Sequence, residues 1–180
     1  MPEAPAATPT ATGAPAPRST AVLAFAGDVH FEGAAAAGIT DGLGSAFSVL
    51  AAADAAVVNL ETAITARGEP APKEYTFRAP PQALSALREA GVDAVSLANN
   101  HGMDYGATGL TDTLAAGREA GLAIIGAGAD AAAAFAPWRA TLNGIDVAVL
   151  AATDVLDTST IDDWTAGPDS AGLASAKDPQ

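Results

Sequence analysis

Four short apolar runs, at residues 21–26, 55–60, 93–97 and 122–125, constrain this 180-residue chain more than any other feature. Each is too short for a typical helix and rich in Ala, Val, Ile and Leu, the pattern of a strand buried on both faces. Helical patterns lie between them. Residues 43–53 put Phe47 and Leu50 on one face; residues 80–90 carry Pro81 in the first turn, Leu84 and Leu87 inward and Gly91 as a stop; residues 108–120 end at Gly121. Parallel strands need such crossovers, so the order predicts an α/β domain with a mainly parallel sheet, right-handed connections and flanking helices. A short helix is expected at 131–136, followed by a hairpin pairing 138–142 with 146–151 around Asn143-Gly144. Residues 62–72, rich in Gly, Pro and charge, read as a loop.

Composition narrows the surroundings of that sheet. Residues 1–19 are almost entirely Ala, Pro and Thr, too poor in large apolar groups to offset ordering entropy, and read as a disordered linker before a domain over 20–180. The net charge of −13 argues against nucleic acid as a partner, because phosphate-backbone affinity requires clustered Lys and Arg. It leaves room for a small anion held by a metal ion. With no cysteine, neither a disulfide nor a thiolate metal site can form. No apolar run is long enough to span a bilayer, and Met1-Pro2-Glu3-Ala4 lacks the basic and apolar regions of a signal peptide.

In sheets of this kind function lies beyond the carboxyl ends of the strands, and three strands here end in polar clusters. The first is Gly27-Asp28-Val29-His30, whose carboxylate and imidazole leave the strand end on the same side, as two ligands of one ion would; the alternative is an N-cap aspartate beside a surface histidine. The second is Asn59-Leu60-Glu61. A charge directly after a buried strand needs a metal, a basic partner or water, while Asn59 is equally suited to turning the chain. The third is Asn99-Asn100-His101, with Asp104 and Gly106 close behind, supplying amides, an imidazole and an orienting carboxylate within a few residues; an Asx-turn alone would explain only the asparagines. The only two histidines, His30 and His101, both fall in these clusters.

The stretches AGDVHFEG, VVNLETAIT, YTFRAPP and SLANNHGMDYGATGLTDTL, with the later IIGAGADAAAAFAP, resemble the CapA family of capsule and poly-γ-glutamate synthesis proteins. That family is similar in fold to calcineurin-like metallophosphoesterases. The resemblance runs from about Val22 to about Leu173 and implies the N-terminal part of a four-layer metallophosphoesterase-type sandwich. By position it implies Asp28, His30, Glu61 and Asn100 as ligands of one or two divalent ions (Mn, Fe or Zn), with Glu61 standing where the phosphoesterase pattern has its bridging aspartate. It implies His101 as proton donor and Asp104 as its orienting carboxylate, and points to Arg78 and Asn99 as contacts for a substrate anion. It further implies an extracytoplasmic or membrane-associated place, a cell-envelope polymer or its phosphorylated or glutamyl precursor as partner, and other capsule-synthesis proteins nearby.

The ligand count departs from that pattern. The fold's later histidines, including a His-x-His, have no counterpart beyond His101, and Asp154, Asp157, Asp162 and Asp163 belong to no motif that would replace them. The chain therefore reads as truncated at its C-terminus or as a short form with an incomplete site. Two expectations follow: a metal-dependent phosphoesterase-type protein, or a non-enzymatic accessory of polymer synthesis or export.

Overall fold

The computed structural model describes residues 19–156 and 158–177. Apart from Ser19, the linker expected over 1–19 lies outside the described residues, as does Asp157. In chain order the strands are β1 (Leu23–Val29), β2 (Ala55–Leu60), β3 (Ala63–Ile64), β4 (Arg78–Ala79), β5 (Ala94–Ser96), β6 (Ala123–Ile125), β7 (Ala127–Gly128), β8 (Trp138–Leu142), β9 (Ile145–Val149) and β10 (Gly172–Leu173). The α-helices are α1 (Gly38–Asp41), α2 (Ser48–Ala51), α3 (Gln82–Glu89), α4 (Gly106–Ala120), α5 (Ala131–Ala134) and α6 (Ile161–Trp164).

The four apolar runs form one parallel sheet in the order β1-β2-β5-β6, flanked by helices, as the crossover spacing requires. Alternation along β2 serves two layers. Ala56, Val58 and Leu60 join Leu84 and Leu87 of α3 and Leu110 of α4 in the main core, whereas Val57 turns to the opposite face. There, with Ala94 and Ile125, it packs beneath Trp138 and Val149 of the β8–β9 hairpin. The hairpin turns at Asn143 and Gly144, both at positive φ, and the Asn143 amide ties it to Thr20 O and to Asp54 Oδ1. Helix α4 stops where Gly121 adopts the left-handed conformation, its N–H returning to the helix's last carbonyls.

The structure departs from expectation in four places. Strand β1 is not buried on both faces: at the edge of the sheet it leaves Phe25 and Ala26 exposed. Residues 43–53 are not one helix: a 3-10 turn at Ser45–Phe47 leads into the four-residue α2, and another precedes α1 at Gly33–Ala37. Gly42 and Gly44 hold positive φ, and no side chain caps the start of either turn, so nothing lets a longer helix start. Residues 62–72 are not wholly loop. Ala63 and Ile64 pair with Arg78 and Ala79, Ile64 is buried, and the Thr113 hydroxyl accepts from the Ile64 N–H at 2.8 Å. Finally, β1 runs on to Val29, so that Asp28 lies within the strand and not after it. No single helix among the described residues is long and apolar enough to cross a membrane.

Candidate functional site

A register shift in β1 starts the site. Ala26 pairs with Val58 and Asp28 with Asn59, leaving Gly27 as the extra residue of a bulge. The bulge brings Asp28 level with Asn59 and Ser96 across three strands. The Asn59 amide donates to Asp28 Oδ1 at 2.7 Å, and Asn59 Oδ1 accepts from Asn99 Nδ2 at 3.0 Å. Asn99 also donates to Leu60 O at 2.9 Å and accepts from the His101 N–H at 2.9 Å. Three strand ends are thus stitched by one hydrogen-bonded chain running from Asp28 to His101. Asn99, expected to meet substrate, is 4% exposed with its amide engaged on both sides, and its place is that of a tie between β2 and the 99–104 turn. Gly102 makes that turn possible, because a Cβ there would stand 2.4 Å from Leu97 O.

The turn presents His101 against Asp104. His101 Nδ1 lies 2.7 Å from Asp104 Oδ2, which also accepts from the Phe77 N–H at 2.6 Å; the other oxygen, Oδ1, is 2.7 Å from Lys73 Nζ. Asp104 is fully buried, so a cation and two N–H donors compensate its charge where water cannot. A carboxylate held in this way orients the imidazole: Nδ1 carries the proton toward Asp104, and Nε2 is left for chemistry. Nε2 faces Glu61, with Oε1 at 3.9 Å.

Lys73 and Phe77 were not singled out by the sequence, and both belong to the segment linking β3 to β4. Lys73 Nζ donates to Asn100 O, sits 3.2 Å from His101 Nδ1 and lies 5.3 Å from the centre of the Trp164 ring. One signal pointed to it: it is one of only two lysines in a strongly acidic chain. The Phe77 ring stands between the two imidazoles, 5.1 Å from His30 at an interplanar angle of 16° and 4.3 Å from His101 at 24°. No local pattern marks it, since the contact spans three separate segments.

The remaining expected residues do not close on one point. His30 is half-buried, and its Nδ1 accepts from the Glu32 N–H at 3.3 Å, so that nitrogen holds its lone pair toward the backbone. Asp28 is exposed. Asn100 is half-buried, with its carbonyl taken by Lys73. Arg78 is exposed and lays its guanidinium over Tyr105, 5.1 Å from the ring centre. Asp154, Asp162 and Asp163 are exposed. The donor types, carboxylate, amide and imidazole, suit Mn²⁺, Fe²⁺ or Zn²⁺. Among the described residues, however, no three His, Asp or Glu side chains stand together as an ion would need.

A family model described as "Bacterial capsule synthesis protein PGA_cap" matches residues 22–180. A Mycobacterium tuberculosis protein named "Probable polyglutamine synthesis accessory protein" is 39% identical over 140 residues, covering 76% of this chain and 37% of that protein. "Capsule biosynthesis protein CapA" of Bacillus anthracis is 39% identical over 84 residues, 47% of this chain and 20% of its own length. "PGA biosynthesis protein CapA" of Bacillus subtilis is 31% identical over 112 residues, 59% of this chain and 29% of its own. The chain spans well under half the length of these relatives.

Proposed function

The chain belongs to the bacterial capsule synthesis protein family PGA_cap, and from that premise we propose that it carries a phosphoesterase-type site serving the assembly of a capsular or poly-γ-glutamate polymer. The single observation that supports a catalytic reading is the buried Lys73–Asp104–His101 array, which fixes an imidazole with Nε2 directed toward Glu61. In this reading His101 is the general acid, giving a proton at Nε2 to the leaving oxygen, and Asp104 holds it by Nδ1. Asp28, His30, Glu61 and Asn100 are the donors that would draw together around a divalent ion. When bound, such an ion supplies Lewis-acid polarisation of a phosphoryl group. Arg78, with a planar fork suited to an anion, contacts the phosphorylated or glutamyl precursor once it leaves Tyr105. In this reading the protein acts on an envelope polymer or its precursor, outside the cytoplasm or at the membrane.

The test is hydrolysis of a generic phosphodiester with and without Mn²⁺. Manganese-dependent turnover, abolished in His101→Ala and in Asp28→Ala, is the expected result. Turnover that both variants retain ends the assignment.

A second reading, an accessory protein without turnover, is favoured by one observation: the absence among the described residues of three acidic or imidazole groups in one place. The word "accessory" in the name of the mycobacterial relative points the same way. Stoichiometric, tightly held metal on the isolated chain, together with turnover, would exclude it.

A further inference from the structure

We propose that Phe77 is a positioning residue: its ring is the spacer on which His30 and His101 each stack and which holds them apart at the rim of the sheet. Three observations carry this. The ring is stacked on both imidazoles, at 5.1 Å and 4.3 Å between centres, so each histidine face that could collapse onto the other meets phenyl instead. The ring cannot drift, because the backbone on either side of it is fastened. The Phe77 N–H donates to buried Asp104 at 2.6 Å, and Phe77 O accepts from Ala63 N at 3.1 Å, next to the β3–β4 pairing. The same carboxylate oxygen that takes the Phe77 N–H also takes His101 Nδ1, so spacer and imidazole are referred to one fixed atom.

The two histidines follow β1 and β5, strands that are not neighbours in the sheet. The ladders through β2 fix how far apart these strands end, but the facing of the two rings beyond them is left to side chains. An aliphatic residue could fill the volume, but it offers no flat faces to fix the ring planes. Phe77 therefore acts on the chemistry through His30 and His101 and need not touch substrate. Its consequence for ion binding rests on the metal reading given above; its role as spacer does not.

Because the chain has only two histidines, their imidazole C–H signals can be followed separately by carbon-edited proton NMR. In the native chain both sets are expected upfield, shielded by the phenyl face, with nuclear Overhauser contacts to the Phe77 ring. Phe77→Leu should lose the shielding at both histidines at once, and Phe77→Tyr should keep it. Mn²⁺ binding, read by electron paramagnetic resonance, should weaken by about 10-fold or more in Phe77→Leu, the usual cost of removing a group that orients ligands, and recover in Phe77→Tyr. Unshielded histidines in the native chain overturn the proposal without any variant, so a Phe77→Leu chain that fails to fold does not protect it. Equal Mn²⁺ affinity in native and Phe77→Leu chains overturns its bearing on the site. If the native chain shows no Mn²⁺ binding, the metal reading fails, and the shielding alone decides the role of Phe77.

Discussion

Replacing Lys73 by methionine isolates the feature on which the site's geometry depends. The substitution keeps most of the side chain's volume over Trp164 but leaves Asp104, fully buried, without its cation. Removing one partner of a buried pair costs about 3–5 kcal/mol. Here Asp104 retains two donors, from His101 and Phe77, and the Lys73 side chain is itself 15% exposed, both of which favour the lower end. A loss of ~3 kcal/mol, at ~2–4 °C per kcal/mol for a domain of this size, lowers the melting midpoint by ~6–12 °C. Adding Asp104→Asn removes the orphaned charge, so the double variant should be more stable than the two single losses predict, with a coupling energy of at least ~1 kcal/mol. Thermal melts of the four proteins followed by circular dichroism supply the cycle. A Lys73→Met chain melting within ~2 °C of the native one, or losses that simply add, would refute the pairing and the orientation of His101 built on it.

Two further outcomes follow from the surrounding bonds. Asn99→Ala strips partners from Asn59 Oδ1, Leu60 O and the His101 N–H together; a loss of about 1–3 kcal/mol in urea unfolding is expected, with the midpoint falling and the slope unchanged. The Asp112 carboxyl is held below its ordinary range, chiefly by its bond to Arg67 and then by that to Thr65. A depressed folded value means that the stabilisation is present above the unfolded aspartate value of ~3.9 and is lost as pH falls below it. Asp112→Asn should therefore lower the melting midpoint at neutral pH and converge on the native chain in acid.

The parts of the fold set by local pattern were legible in the residues. Strand β2 shows as AAVVNL because both its faces are buried, and Asn143-Gly144 specifies its turn through backbone conformation alone. The strand-end clusters were legible for the same reason: Asn99, His101 and Asp104 are a few residues apart and arrive together whatever the rest of the chain does. What escaped was set by contacts distant in sequence. Lys73 reaches Asp104, and Phe77 meets both His30 and His101, across segments whose meeting only the tertiary fold decides. Residues 43–53 failed differently. Their apolar spacing suits a helix, but Gly42 and Gly44 at positive φ and the lack of a cap remove its beginning.

The skipped glycine in the first strand has a consequence for how such chains can diverge. By absorbing one residue at Gly27, it lets Ala24 and Val29, on either side of the bulge, both pack against the main core while Asp28 stays level with Asn59. A homologue lacking that glycine would still have its acid next in line after the residue opposite Val58, and so still opposite the asparagine of the neighbouring strand, in an unbroken ladder. The bond between acid and amide should thus survive loss of the glycine and break only with an insertion or deletion that no bulge absorbs, which would turn the acid to the other face.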